Sequence, residues 1–135
     1  MNSTDYFNTL IEIAEDSNVD VGTIPSIKSD KKTVANLQFE MLQNQPYRFT
    51  SDDVLFSIAL RKEIPQEELT SQRELFFSKG RPCFRALPLT KSYGWGIHSK
   101  EEGKIAMYGV DSDEYQGLVA DESVKKKKAM RSKRG

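Results

Sequence analysis

Two runs of alternating residues, Tyr93–His98 and Lys104–Val110, flank the five-residue segment Ser99-Lys-Glu-Glu-Gly103. Alternation with period two, rich in aromatic and β-branched residues, is the signature of half-buried strands. The closing glycine supplies a position that tolerates positive φ, so the segment predicts a β-hairpin. A hairpin at this point commits the rest of the chain to extending or covering a sheet. Two other runs read as strands. In Tyr6–Ala14, Phe7, Thr9, Ile11 and Ile13 alternate with Asn8, Leu10 and Glu12, and a strand is expected there, at the sheet edge. Pro82 starts an extended stretch through Cys83, Phe84 and Arg85, expected beside the hairpin at the centre of the sheet.

The remaining periodic segments are helical. Val34, Leu37 and Met41 recur at three- and four-residue spacing, with Asp30 or Thr33 placed to cap and Pro46 just past the end. Thr50-Ser-Asp-Asp53 is a helix-start signature. Residues 54–62 are ambiguous, because Val54, Phe56, Ile58 and Leu60 also alternate, and the cap with Arg61 and Lys62 at the end favours helix. Pro65-Gln-Glu-Glu68 opens a helix that Lys79–Gly80 closes, and Asp111–Glu114 opens a short one through Ala120. Residues 15–32 hold turn formers, Gly22 and Pro25, and predict no regular element. The expected class is α+β: a small, mostly antiparallel sheet with helices packed on one face.

At 135 residues the chain fits one domain. Its zero net charge hides an asymmetry. All 20 acidic residues lie at or before Glu122, while 125–135 contain seven Lys or Arg. The expected organisation is a domain over 1–124 and a basic tail over 125–135, solvated or used for interaction. A single Cys excludes an intrachain disulfide and a Cys-rich zinc site. The N-terminus carries no signal-peptide pattern, and no apolar run approaches the length of a membrane span, so a cytoplasmic protein without membrane contact is expected.

Chemistry concentrates between Leu75 and Lys100, a stretch without acidic residues that holds the only Cys, Trp and His of the chain. In a regular hairpin Tyr93, Trp95 and Ile97 share one face, and Gly94, Gly96 and His98 the other. The glycine side forms a flat platform on which either a ligand or a packed helix would lie closely. Arg85 and Lys91 could gather around an anion, with Tyr93 and Trp95 as stacking walls and His98 as a titratable hydrogen-bonding group. This makes a binding module for a small anionic or aromatic ligand the leading expectation. A second is an interaction or nucleic-acid-associated protein using Lys125, Lys126, Lys127, Lys128, Arg131, Lys133 and Arg134 on phosphates. A third is a small enzyme using Cys83 as nucleophile or His98 as base. No dinucleotide or phosphate loop is present, and no cofactor is expected. The carboxylates at Asp52–Asp53 and Asp111–Glu114 sit where helix N-termini want them, so no metal site is expected.

Several segments also carry a family resemblance: Met1–Asn–Ser–Thr–Asp–Tyr6 with Ile11–Asp16, Lys32–Gln38, Thr50–Val54, Phe77–His98, Gly103–Val110 and Ala129–Arg134. Together they resemble a family of small bacterial hypothetical proteins, a domain of unknown function, with Tyr93–Gly–Trp–Gly–Ile–His98 as the most specific stretch. The resemblance implies one domain that includes the basic end, and it implies no activity.

Overall fold

The structure is a computed structural model that describes residues 3–17, 19–25, 33–59, 66–80 and 83–131. In chain order these hold β1 (Thr9–Glu12), α1 (Val34–Asn44), α2 (Ser51–Ala59), a 3-10 turn at Gln66–Glu68 and α3 (Leu69–Phe76). Then follow α4 (Pro88–Lys91), β2 (Trp95–Ser99), β3 (Ile105–Gly109), α5 (Asp113–Ala120) and β4 (Lys125–Lys128). The sheet order is β3-β2-β1-β4. β2 pairs antiparallel with both β1 and β3, while β4 runs parallel to β1. The class is therefore α+β with a mostly antiparallel sheet.

Local chemistry explains where the helices begin. Thr33 caps α1: its hydroxyl accepts from the Asn36 N–H, and the Asn36 side chain accepts from the Thr33 N–H. Thr50 and Asp53 exchange the same pair of bonds at the start of α2. That settles the ambiguous segment as helix through Ala59, with Val54 and Ile58, one turn apart, both in the core. Residues 60–65, including Arg61, Lys62 and Pro65, lie outside the described residues. Ser112 caps α5 by accepting from the Tyr115 N–H.

Alternation along the strands divides the sheet into two faces. Ile11, Ile97, Ile105 and Met107 meet Phe39 and Leu42 of α1, Val54 and Ile58 of α2 and Leu89 of α4 in one core. Each such side chain contributes about 1.5–3 kcal/mol through burial. Trp95 packs edge-on against Phe39, with ring centroids 5.5 Å apart. On the reverse face lie Leu10, Gly96, His98, Ala106 and Tyr108, which the register places side by side. Here α5 lays Tyr115 across Gly96: a Cβ at position 96 would meet Tyr115 Cε2 at 2.4 Å. The Tyr115 hydroxyl accepts from the Ile13 N–H at 3.1 Å, tying helix to sheet. The platform left by the hairpin glycine is thus filled by the protein itself.

Three expectations need correction. β1 is interior, between β2 and β4. It lies inside because the chain returns at Lys125 to pair beside it. The Cys83 segment is not a strand; Phe84 and Arg85 lie in a turn closed by the Ala86 N–H to Cys83 carbonyl bond, leading into Pro88 at the first turn of α4. The 125–135 segment is not a tail from its first residue. Lys125–Lys128 form a sheet strand, and Ala129 is buried in the core. Long-range backbone bonds from Lys125 N–H to Asn8 O and from Ala129 N–H to Glu12 O override the poor strand propensity of lysine.

Candidate functional site

At one end of the reverse face a recess of about 350 Å3 opens to solvent. Its walls come from four places: Asn8 before β1, His98 near the end of β2 with Lys100–Glu102 of the hairpin turn, Leu118 of α5, and Asp121, Ser123 and Val124 leading into β4. Asn8 joins three of them. It sits at φ 48°, a left-handed conformation that asparagine tolerates. Its N–H donates to Lys100 O, its carbonyl accepts from Lys125 N–H and its side-chain amide donates to Ser123 O at 2.7 Å. The turn itself rests on Gly103 at φ 88°.

His98 is the half-buried centre of this wall. Its Nδ1 lies 2.7 Å from the Tyr47 hydroxyl, which lies 2.9 Å from the Tyr108 hydroxyl. Burial, reinforced by the nearby Lys100 charge, pushes the imidazole below its ordinary value; Asp121 pulls the other way. Burial and the bond to Tyr108 push the Tyr47 phenol upward. Both groups are therefore neutral at pH 7. Lys100 places its ammonium 4.2 Å from the centre of the Tyr47 ring. Asp121 ends α5, and its Oδ1 accepts from the N–H and hydroxyl of Ser123 at 2.9 and 2.6 Å. Those bonds, the hydroxyl first, hold its carboxyl below the usual range. Asp121 Oδ2, Asn8 Oδ1 and His98 Nε2 have no partner among the described residues. Glu101 and Glu102 add two more carboxylates to the rim.

The other candidates lie elsewhere. Trp95 is on the opposite face from His98 and donates its indole N–H to Thr23 O at 2.8 Å. Tyr93 packs against the core, and its carbonyl accepts from the Thr23 N–H. Arg85 donates from Nε to Lys128 O at 2.7 Å, fastening the turn before α4 to the end of β4. Lys91 lies in the last turn of α4. None of these four lines the recess. Cys83 is half-buried with its sulfur 3.5 Å from the Tyr6 hydroxyl. Burial and that contact raise the Tyr6 phenol. The proposed nucleophile and base thus have different tyrosine partners.

The basic segment is largely answered by the body it follows. Lys126 Nζ donates to the carbonyls of Asp121 and Val124, and Lys128 pairs with Glu15 at 2.9 Å. Arg131 also pairs with Glu15, whose carboxyl is pulled down to about 2 by the two cations, Arg131 first. Lys125 and Lys127 are exposed strand residues, and Lys133 and Arg134 lie outside the described residues. Among the described residues no group of three or more His, Cys, Asp or Glu is placed to hold a metal ion. No described helix is long and apolar enough to cross a membrane.

Tyr47, Asn8, Tyr108 and Asp121 escaped the sequence reading. Tyr47 follows Pro46 in a turn, outside any periodic pattern. Asp121-Glu-Ser123 did carry a local signal, since Asp followed two residues on by a backbone donor is a common side-chain turn. Residues 1–135 match a protein-family model described as "Family of unknown function (DUF6157)". No curated protein and no solved structure matches the chain.

Proposed function

Because the chain belongs to this family of unknown function, we propose its role from the site alone: a binding module for a small polar ligand carrying an ammonium group, seated in the His98 recess. The observation that carries this reading is the lining. Three carboxylates and one ammonium line it; that ammonium is engaged with the Tyr47 ring, and the Lys126 ammonium beside Asp121 is taken up by the Asp121 and Val124 carbonyls. Asp121 is held ionised, keeps one oxygen unshared and ends α5, where the helix dipole adds negative potential. Leu118 and Val124 give the ligand an apolar wall. A volume of about 350 Å3 is at the small end of metabolite sites. Arg85 and Lys91, which motivated an anionic ligand, supply nothing to this recess.

Leucinamide is a suitable probe, with an ammonium, an acceptor carbonyl and an apolar side chain. Titrating it against the 15N-labelled protein should give saturable shifts at Asp121 and His98. N-acetylleucinamide, which lacks the charge, should bind several-fold more weakly, as should leucinamide to Asp121→Asn, since each change removes one charge from a hydrogen bond that is strongest when both partners are charged. Equal binding of the charged and acetylated probes would overturn the reading.

A further inference from the structure

Tyr47 makes more contacts toward the recess than its place in a loop requires. Its backbone is at φ 59°, uncommon for an aromatic residue. Its N–H donates to Ile105 O at 2.8 Å, pinning the loop to the outer edge of β3. Its ring stands edge-on to His98 at 88°, with centroids 5.7 Å apart, and lies beneath the Lys100 ammonium. Its hydroxyl is the middle member of a chain from Tyr108 to His98 Nδ1. A left-handed, non-glycine residue is strained, and such strain persists where the surrounding bonds overdetermine it.

We propose that Tyr47 is a positioning residue that presents His98 to the recess as a fixed Nε2–H donor, so that the ligand must bring an acceptor oxygen beside its ammonium group. The proposal rests on the recess being a ligand site only in its final clause; the tautomer stands by itself. Neutral imidazole has one proton and each phenol one, so the chain can run in two directions. In one, Tyr108 donates to Tyr47, and Tyr47 donates to Nδ1, leaving the proton of His98 on Nε2. In the other, Nδ1–H donates to Tyr47, Tyr47 donates to Tyr108, and Nε2 carries a lone pair. The first direction matches chemical character: a phenol is a better donor than acceptor, and an imidazole lone pair is a better acceptor than a phenol oxygen. The Lys100 ammonium over the ring draws electron density from the phenol and strengthens that preference. The nearby Asp121 carboxylate favours a positive N–H edge on the recess side of the imidazole. The ligand then meets an N–H donor at His98 and carboxylate or amide acceptors at Asp121 and Asn8. An amine with a neighbouring hydroxyl or carbonyl oxygen fits that order of groups.

His98 is the only histidine, so its two ring nitrogens are observed without overlap. In a long-range 1H–15N correlation spectrum of the ligand-free protein, Nε2 should show a protonated, pyrrole-type shift and Nδ1 a pyridine-type shift. Tyr47→Phe should draw the two signals towards each other as the tautomers interconvert, and should weaken leucinamide binding several-fold. Tyr108→Phe should leave the tautomer in place, because Tyr47 keeps its proton on the His98 side. A pyrrole-type Nδ1 in the wild-type protein would overturn the proposal, as would a Tyr47→Phe protein with wild-type ring shifts. Should Tyr47→Phe fail to fold, the wild-type and Tyr108→Phe spectra still decide. A fixed Nε2–H with no binding of leucinamide would sink the functional reading and leave the positioning role standing.

Discussion

Replacing Gly96 with alanine tests how α5 is seated on the sheet. The new Cβ would stand 2.4 Å from Tyr115 Cε2, 2.7 Å from Cδ2 and 3.3 Å from Ile11 O. Tyr115 is buried and its hydroxyl is tied to the Ile13 N–H, so the ring yields only if that bond breaks or α5 lifts. Overpacking costs about 1–3 kcal/mol. An Ile13 N–H stripped of its partner adds about 1–3 kcal/mol when buried, less here because it is only partly so. Alanine returns about 0.5–1 kcal/mol through its lower backbone entropy in a strand. The net expectation is a loss of about 2–3 kcal/mol, read as a lower midpoint in urea at unchanged slope. The comparison that isolates the cause is the same substitution in a Tyr115→Ala background. There it should be neutral, or stabilise by about 0.5–1 kcal/mol. Equal destabilisation in both backgrounds would refute the argument that the aromatic ring is the obstacle.

Other outcomes follow from single contacts. Asp52, 2% exposed, accepts from the Ser3 hydroxyl and from both the N–H and hydroxyl of Thr4. Asp52→Ala should cost about 2–3 kcal/mol and speed hydrogen exchange at the Thr4 amide, since a buried donor is left unpaired. For His98 the folded pKa is lowered, so as pH falls below about 6.5 the unfolded chain takes up a proton first and stability declines, levelling off beneath the folded value. Burial drives this and the Lys100 charge adds to it, Asp121 opposes it, and Glu101, Glu102 and the two phenols complete the surroundings. Urea midpoints measured from about pH 7.5 to 5 should slope accordingly, and His98→Asn should remove the slope in that window. The Glu15 side-chain carboxyl, followed by 13C NMR, should titrate near 2, and Lys128→Ala with Arg131→Ala should return it to the ordinary range.

The sequence was most legible where local rules coincide. The hairpin was readable because alternation, glycine placement and turn length all agree, and both capping boxes stood in the sequence as paired residues three apart. The same alternation already placed Trp95 and His98 on opposite faces, which is where they lie; a common hollow for the cations and rings needed the chain to override its own pleat. β4 was illegible for the opposite reason. Four consecutive lysines read as solvated charge, and only the distant Asn8, Glu12 and Glu15 make that segment a strand. Lysine also suits an edge strand, where its charge discourages pairing with another sheet. The recess draws on four separate segments, and Tyr47 acts through tertiary contacts alone, so neither follows from spacing. His98 was the candidate found from sequence that the recess retains.

The central claim is that ligand recognition belongs to the reverse face, around His98. Mapping amide shifts residue by residue during a leucinamide titration tests it most directly. The account predicts saturable changes confined to Asn8, His98–Glu102, Leu118 and Asp121–Val124. Changes centred instead on Arg85, Lys91, Tyr93 and Trp95, or none at any of the recess residues, would contradict it.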